Sequence, residues 1–578
     1  MRTAVLGMAA ALLCAESPAV AQALVGEGDP VILVPPAQPD TTGTPPAAAN
    51  PEGFEVETLG EVSAEFAGPL TPQNGGLQPS LWRGSSKGKI ERLLARLPLH
   101  HSPAMASLTR TLLLTNGTAP PGQGTGVNIL ALRARILAEM GFLDDAINLL
   151  RSAPARAIDR TAAWVFIDLS WQRQDVESAC ASLLAPESTF DLTTELQQQR
   201  IFCQWRAGQQ ADAQLGRELL REIGGEDPLF AAIMDRLSGD KSAAIPPPRE
   251  ITPELIAMFH EIPEPLPANA FELASTEAVA MLARDTRVDA GLRLSAAEAA
   301  ASQGALSAKV VRDVYAAQAI DPKALATASD LPETGASAED RAVLYQAVAA
   351  ANAPEMRATI LQVALGPTGW ADNDTWRLQV FAPFLLELSP SPELSWYAPE
   401  AAHYLFALGE YERARSWIEI TQGDPNLGEG SVDTNAAMML PSLLALDYLA
   451  GGYQSVPVMG SFLAQGQVNA SPDSVARLQA IFAAFDDSAA PFGVAAGESD
   501  GTDAQPLPRE NLNLWLDLGD TPAKGMLGET ALLALIGLRD LASVEPLWLT
   551  RALTGLRQVG LEAEARRIAV EAAIANGL

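Results

Sequence analysis

A helix-ending position recurs along this chain at spacings of 33 and 34 residues, and an alanine follows each copy five positions later. The copies pair Gly141 with Ala146, Gln174 with Ala179, and Gly208 with Ala213. Glycine ends helices because it readily adopts a left-handed backbone, and alanine lets two helices approach closely. The pattern therefore predicts consecutive antiparallel helical hairpins, and a period of this length is typical of repeat proteins.

Two further copies of the pattern lie nearer the carboxyl end of the sequence. They read Gly409-Glu-Tyr411-Glu-Arg-Ala414 and Gly560-Leu-Glu-Ala-Glu-Ala565. Gly-x-Tyr-x-x-Ala at a hairpin turn resembles the consensus of the tetratricopeptide (TPR) family. That resemblance implies an all-α fold, in which TPR-like helical-hairpin repeats form an α-solenoid.

Periodicity and composition also predict how the chain is divided. We expect a signal peptide over 1–21, a Pro-rich disordered linker over 22–80, N-terminal TPR-like repeats over 81–242, a Pro-rich break over 243–251, and a C-terminal helical repeat array over 252–578 with a polar loop at 486–508. Outside the TPR-like copies, the apolar residues of the C-terminal array still recur at helical spacing.

The first residues predict export. Arg2 precedes an apolar run of 11 residues, and the small residues Ala19 and Ala21 mark a cleavage site. A run of this length is too short to span a membrane. Cys14 offers the alternative of a lipoprotein, but the large Leu13 before it disfavours lipidation. The layout resembles uncharacterised exported helical-repeat proteins of Gram-negative bacteria, which implies a periplasmic or secreted protein.

The charge of the chain limits its partners. The formal net charge is −31 and the isoelectric point is about 4.5. Such a field repels phosphate backbones, so binding to nucleic acid is disfavoured. It favours a basic protein or peptide partner, or serves solubility alone. No apolar run after Ala21 is long enough for a membrane span.

Two cysteines remain after the predicted cleavage, Cys180 and Cys203. In TPR stacking the second helix of one repeat packs on the first helix of the next, which would bring the two thiols together. An exported protein with an even number of cysteines favours a structural disulfide. The alternative is a pair of buried free thiols that pack as small apolar groups.

Sequence motifs for catalysis, metals or cofactors are incomplete. Gly84-Ser-Ser86-Lys-Gly88 matches a nucleophile elbow by letter, but no strand is predicted before it. Glu187-Ser188 matches the start of a lytic transglycosylase motif whose later segment is missing. None of the four histidines has a ligand-spaced partner. The sequence therefore predicts no enzyme, no cofactor and no metal.

The leading hypothesis is a periplasmic scaffold or chaperone-like adaptor that binds proteins in an envelope assembly. In TPR proteins the first helix of each repeat lines a concave peptide-binding face, which would place Arg133, Arg200, Gln204 and His403 there. One alternative is a glycan-acting enzyme, which needs a deep cleft with two converging carboxylates in the C-terminal half. A second alternative is a lipid-anchored accessory of the outer membrane.

Overall fold

Helices account for the regular secondary structure in the part of the chain that the structure describes. The structure is a computed structural model that describes residues 64–99, 102–185, 193–240, 242, 244–335, 337–366, 375–421, 434–452, 471–485 and 509–578. These residues form 26 α-helices, several short 3₁₀ turns and two isolated β-bridges. The predicted all-α class is therefore confirmed for the described residues.

The helices follow one another with short connections. The first nine are α1 (Lys87–Leu94), α2 (Pro103–Leu114), α3 (Ile129–Glu139), α4 (Leu143–Ser152), α5 (Arg160–Gln172), α6 (Val176–Leu184), α7 (Thr194–Arg206), α8 (Gln210–Glu222) and α9 (Pro228–Leu237). The next nine are α10 (Pro253–Phe259), α11 (Ala270–Leu273), α12 (Thr276–Arg284), α13 (Ala290–Ser302), α14 (Ala308–Ala316), α15 (Pro322–Ala326), α16 (Ala338–Ala350), α17 (Pro354–Leu365) and α18 (Thr375–Glu387). The last eight are α19 (Ala398–Ala407), α20 (Tyr411–Thr421), α21 (Thr434–Leu449), α22 (Pro472–Ala483), α23 (Arg509–Asp520), α24 (Leu527–Gly537), α25 (Pro546–Gln558) and α26 (Glu562–Ala575).

Polar side chains fix where many of these helices begin. Asn128 accepts a hydrogen bond from the Ala131 amide at the start of α3, at 2.9 Å. Asp159 does the same for α5 through the Ala162 amide, also at 2.9 Å. Such caps satisfy amide groups that have no partner inside the helix, so they set the first residue of each element.

The five turns at the recurring sequence positions share one backbone geometry. Each turn residue has a positive φ angle, at Gly141 (79°), Gln174 (63°), Gly208 (77°), Gly409 (76°) and Gly560 (87°). In each case the following amide donates to the carbonyl five residues earlier, as Phe142 does to Leu137 at 2.8 Å. This is the Schellman arrangement, which satisfies carbonyls at the end of the first helix. Gln174 adopts it without being glycine.

The alanines of the pattern lie where the two helices of a hairpin meet. Five alanines are almost fully buried: Ala146, Ala179, Ala213, Ala414 and Ala565. Each lies in the first or second turn of the second helix, so a larger side chain would push the hairpin apart. Tyr411 starts α20, and its ring packs against Phe406 with centroids 6.1 Å apart.

Another turn of the same type, at Gly304, has no match in the sequence pattern. Gly304 has a φ of 75°, and the Ala305 amide donates to Ala300 at 2.9 Å, but Lys309 stands where alanine would be expected. This α13–α14 turn touches the α3–α4 turn. A Cβ atom on Gly141 would lie 2.3 Å from the Gly304 carbonyl oxygen, so Gly141 is required by contact as well as by φ.

Two hydrophobic cores hold the helices together. The main core includes residues of both predicted repeat blocks, from Ala64 to Leu169 and from Ile251 to Leu578. A smaller core surrounds Trp171, Phe202, Phe230 and Ile233 and reaches Ile262. Residues 244–250 carry no helix, yet apolar side chains on both sides of them share this smaller core. A boundary between two separate domains at 243–251 stays a prediction.

Cys180 on α6 and Cys203 on α7 lie in the smaller core with their sulfur atoms at bonding distance, 2.00 Å. Cys203 is fully buried and Cys180 nearly so. The pair joins neighbouring hairpins across the segment between α6 and α7. It has the geometry of the disulfide that the sequence favours.

The first described helices pack directly on the last ones. Ser85 donates to the Glu529 carboxylate of α24 at 2.8 Å, and the Lys89 ammonium of α1 lies 2.5 Å from the same group. Glu529 is completely buried. A Cβ on Gly528 would meet the Trp82 ring at 2.6 Å, so only glycine lets α24 pass this close. We call these contacts, together with those of Glu571, the closing seam.

Glu571 on α26 forms the second half of the seam. Its carboxylate accepts hydrogen bonds from the Ser102 hydroxyl and, at 2.9 Å, from the Ala104 amide. Ser102 also caps α2 by accepting from the Met105 amide at 3.2 Å. An open solenoid has contacts only between neighbouring repeats. The seam joins residues more than 400 positions apart in the chain. An open array has no contacts of this kind.

The predicted linker over 22–80 is shorter than expected. Short 3₁₀ turns occupy Ala64–Phe66, Pro72–Asn74 and Pro79–Trp82. Phe66, Leu81 and Trp82 are buried in the main core. The linker prediction was therefore wrong for residues 64–80. A few large apolar side chains are enough to anchor a segment whose Pro and Gly content is otherwise typical of disorder.

Several predictions fall outside the described residues. They are the signal peptide with Ala19 and Ala21, the lipidation alternative at Cys14, the linker up to residue 63, the Glu187-Ser188 pair and the polar loop at 486–508. Within the described ranges, no helix combines the length and the apolar character that crossing a membrane requires.

Reducing the disulfide should loosen α6 and α7 locally. The two cysteines are 23 residues apart, and closing a loop of this size stabilises by about 3 kcal/mol in the chain-entropy model. We expect hydrogen exchange of amides in α6 and α7 to become about 100-fold faster after reduction. A Cys180→Ala, Cys203→Ala variant is the control and should not respond to reductant. Unchanged exchange in the reduced wild type would contradict the prediction.

Glu571 should make stability depend on pH. Burial raises the pKa of its carboxyl to about 7, against the opposing effects of the Ser102 and Ala104 hydrogen bonds and of Arg567. Between the usual glutamate value and pH 7 the folded state then holds the extra proton. The contribution of Glu571 to the free energy of unfolding is therefore full below the usual glutamate pKa. It is lost as the pH rises through about 7, and it amounts to about 3 kcal/mol at most.

The measurement compares melting temperatures at pH 5 and pH 7.5 for the wild type and Glu571→Gln. Glutamine keeps the size of the side chain but does not titrate, so the variant should lose less stability on going to pH 7.5. Other titrating groups act equally in both proteins, and the difference between them isolates Glu571. The same pH dependence in both proteins would refute this role.

Candidate acidic docking face

Four carboxylates from four different helices come together on one face of the protein. Glu139 ends α3, Asp168 lies in the middle of α5, and Glu254 and Glu277 lie in the first turns of α10 and α12. Helix α5 contacts α3, α10 and α12, and α10 also contacts α12. We call these four side chains the acidic face.

The pKa values of Asp168 and Glu139 are raised in part by other members of the acidic face. Desolvation, together with the charges of Glu254 and Glu277, raises the pKa of Asp168 to about 6. Desolvation also raises the pKa of Glu139, with a smaller contribution from Glu277. The positive charge of Arg135 opposes both shifts.

The Asp168 side chain is exposed to solvent, yet desolvation is the main cause of its raised pKa. The two observations agree if the carboxyl opens to solvent while the surrounding helices leave it little room for a full hydration shell. That is the situation of a group on a recessed wall. A carboxylate there binds a cation more strongly than one on an open surface, because less water competes and screens.

Glu254 is held in place by a chain of hydrogen bonds that leads into the smaller core. The Trp171 indole donates to the Gln199 side-chain oxygen at 3.0 Å, and Gln199 in turn bonds to Glu254. Gln199 is buried and lies one turn before Cys203 on α7. Burial raises the pKa of Glu254, while the hydrogen bonds from Thr252 and Gln199 lower it. The disulfide-linked helix therefore orients one carboxylate of the face.

A cavity of about 660 Å³ lies beside the far end of α10. Prolines 263, 265 and 267 form one wall, and His260, Asp285 and Arg287 form the polar edge. The His260 ring contacts Asp285 through Nε2 and Arg287 through Nδ1. Both ring nitrogens of His260 are therefore occupied by neighbouring side chains. The three side chains hold the end of α10 against the loop before α13.

Three residues that the sequence pointed to as functional candidates, Ser86, Arg133 and His403, have structural roles instead. Ser86 lies directly before α1 and follows a 3₁₀ turn instead of a strand, so the Gly84–Gly88 match is not a nucleophile elbow. Arg133 was expected on a peptide-binding face, but it is buried and donates to the carbonyls of Leu113, Glu65 and Ala67. Burial lowers its pKa to about 9.

His403 was also expected on that face and is buried as well. Its Nε2 lies 2.8 Å from the Leu578 carbonyl oxygen, and burial lowers its pKa. Arg200 and Gln204 lie on α7 and are partly buried. In the described part of the chain, no group of three or more His, Cys, Asp or Glu side chains is arranged to hold a metal ion.

Sequence reasoning missed the acidic face. Its members are spread from residue 139 to residue 277, and no spacing connects them. One local signal was available: Asp168 interrupts the apolar run Trp164–Trp171 of α5. A carboxylate is costly to bury without partners, so an acidic residue inside such a run indicates that this position faces solvent or a polar group.

Comparison with protein-family models, with curated proteins and with solved structures finds no match for this chain. The resemblances to the TPR family and to exported repeat proteins of Gram-negative bacteria therefore stay predictions. The acidic face has to be interpreted from its own geometry.

Removing the charge of one carboxylate should bring the pKa of its neighbour closer to the usual value. In Glu277→Gln the pKa of Asp168 should fall below about 6, because a like charge that disfavours ionisation is gone. Carbon-13 NMR of aspartate-labelled protein measures the midpoint, with the Asp168 signal assigned through Asp168→Asn. Glu412→Gln, at an exposed carboxylate on α20, is the control and should leave the midpoint unchanged. An unshifted Asp168 in Glu277→Gln would show that the two groups do not interact.

Proposed function

We propose that this protein is an exported helical-repeat scaffold that holds a basic protein or peptide segment against its acidic face. In this proposal the hairpins are TPR-like repeats, the site of action is the periplasm, and the role is that of an adaptor in an envelope assembly. The convergence of Glu139, Asp168, Glu254 and Glu277 from four helices is the observation that carries it.

The electrostatics of the face support a cationic partner. Burial raises the pKa values of Glu139, Asp168 and Glu254, and the charges of other members of the face add to the shifts of Glu139 and Asp168. A lysine or arginine placed among them would relieve both effects and lower their pKa values. The overall charge of −31 would speed the approach of a basic partner as well.

The test uses a fluorescein-labelled peptide of alternating lysine and alanine and the full chain at near-physiological salt. The test variant neutralises the face: Glu139→Gln, Asp168→Asn, Glu254→Gln and Glu277→Gln. The control variant neutralises four exposed carboxylates on other helices: Asp313→Asn, Glu387→Gln, Glu412→Gln and Asp520→Asn. The two variants have the same net charge, so a difference between them reports on the face itself.

We expect the face variant to bind the peptide about tenfold more weakly than the control variant, a difference of about 1.4 kcal/mol. Wild-type binding should also weaken as the pH falls below about 6, where Asp168 takes up a proton. Equal affinities of the two variants would mean that only the general field attracts the peptide, and the face would lose its proposed role.

A glycan-acting enzyme is the second candidate, and one observation favours it. Asp168, with its pKa raised to about 6, stands near Glu254, and paired carboxyl groups with separated pKa values are typical of acid-base catalysis. Release of soluble fragments from purified peptidoglycan by the wild type, lost in Asp168→Asn, would support the enzyme. Intact peptidoglycan together with the expected peptide binding would support the scaffold.

A further inference from the structure

Helix α8 carries apolar side chains on its outer face as well as on its inner face. Ala213 and Leu220 point into the smaller core. Leu215, Leu219 and Ile223 remain 56%, 55% and 69% exposed. Residues at i, i+4 and i+8 lie along one side of a helix, so these three form a continuous apolar stripe.

Acidic residues flank the stripe on one side, at Glu218 and Glu222, and at its amino-terminal end, at Asp212. Asp212, Glu218 and Glu222 are exposed on α8, and none of them forms an ion pair with a described residue. The two arginines of the helix are already used. Arg217 pairs with Glu226 and Asp235, and Arg221 pairs with Glu226, at distances of 2.9 to 3.0 Å. The border therefore carries acidic charge that nothing in the described chain balances.

We propose that this stripe is a docking surface for an amphipathic helix of a partner protein with apolar side chains on one face and lysine or arginine along its edges. Apolar side chains of the partner would pack between Leu215, Leu219 and Ile223, which is the usual way a helix binds a helix or groove. Basic edges would meet Asp212, Glu218 and Glu222, as edge charges do in coiled coils. The surface lies on a helix that contributes no carboxylate to the acidic face, and it does not depend on the proposed function.

The acidic charge beside the stripe favours a basic partner helix over a second copy of the chain or a lipid surface. A second copy of the chain, paired through the same stripe, would bring acidic borders and two charges of −31 together. An anionic lipid surface would be repelled for the same reason. Charge complementarity therefore selects a basic helix.

The experiment measures fluorescence anisotropy with two labelled peptides of about 18 residues, long enough to form a helix. One peptide has leucines on a single helical face and lysines on both borders. The other has the same composition in scrambled order, so that it carries the same charge without an apolar face. The variants are Leu215→Gln, Leu219→Gln, Ile223→Gln combined, and Asp212→Asn, Glu218→Gln, Glu222→Gln combined.

The matched control is Leu512→Gln with Leu516→Gln, which removes two exposed leucines of α23. All substituted side chains of the stripe are more than half exposed, and circular dichroism checks that each variant keeps its helix content. Leu219→Gln alone serves if the triple variant does not fold.

The wild type and the α23 control should bind the amphipathic peptide about tenfold more tightly than the scrambled one. The stripe variant should bind both peptides equally, and the border variant should bind the amphipathic peptide about tenfold more weakly than the wild type. Equal binding of both peptides to the wild type would overturn the proposal, as would a preference that survives in the stripe variant. A dimer in light scattering that the stripe variant disperses would assign the stripe to a second copy instead.

Discussion

The buried carboxylate of Glu529 is the contact on which the described structure depends most. Removing a charge from water is costly, and the ion pair with Lys89 and the hydrogen bond from Ser85 offset this cost only in one geometry. Apolar packing between helices depends on shape and is not directional in the way that a hydrogen bond is. A buried ion pair does not tolerate a slide of one helix along the other. We therefore attribute to Glu529 the register in which α24 meets the first described helices, and to Gly528 the closeness of that meeting.

The contacts between the first and the last described helices cover apolar side chains that would otherwise be exposed. In an open array the outer faces of the first and last repeats must be polar, because nothing covers them. Here Leu81 and Trp82 are covered by α24, and α26 covers the start of α2. The main core consequently includes residues from both ends of the described chain, Ala64 and Leu578 among them. Interactions between distant parts of the chain then add to those between neighbours, which favours cooperative unfolding over the stepwise unfolding of a one-dimensional array.

Local features were predictable from the sequence, and distant ones were not. The turns at Gly141, Gly208, Gly409 and Gly560 and the buried alanines after them follow from periodicity, since each hairpin is encoded within about 34 residues. Gln174 was placed by spacing alone and has the same turn geometry. The seam could not be predicted, because Ser85 and Glu529 share no pattern and lie 444 residues apart. The linker was drawn too long because composition averages over a segment, whereas Phe66 and Trp82 act individually.

The packing of the helices keeps the carboxylates of the acidic face close together. Four carboxylates that repel one another would move apart if α3, α5, α10 and α12 were free to do so. The main core holds those helices, and the pair of Cys180 with Cys203 fixes the helix that carries Gln199, which orients Glu254. The repulsion therefore remains in the folded protein and adds to the effect of burial on the pKa of Asp168. A cationic group that enters the face removes that repulsion without any rearrangement of the helices, which is the condition for binding with little loss of conformational freedom.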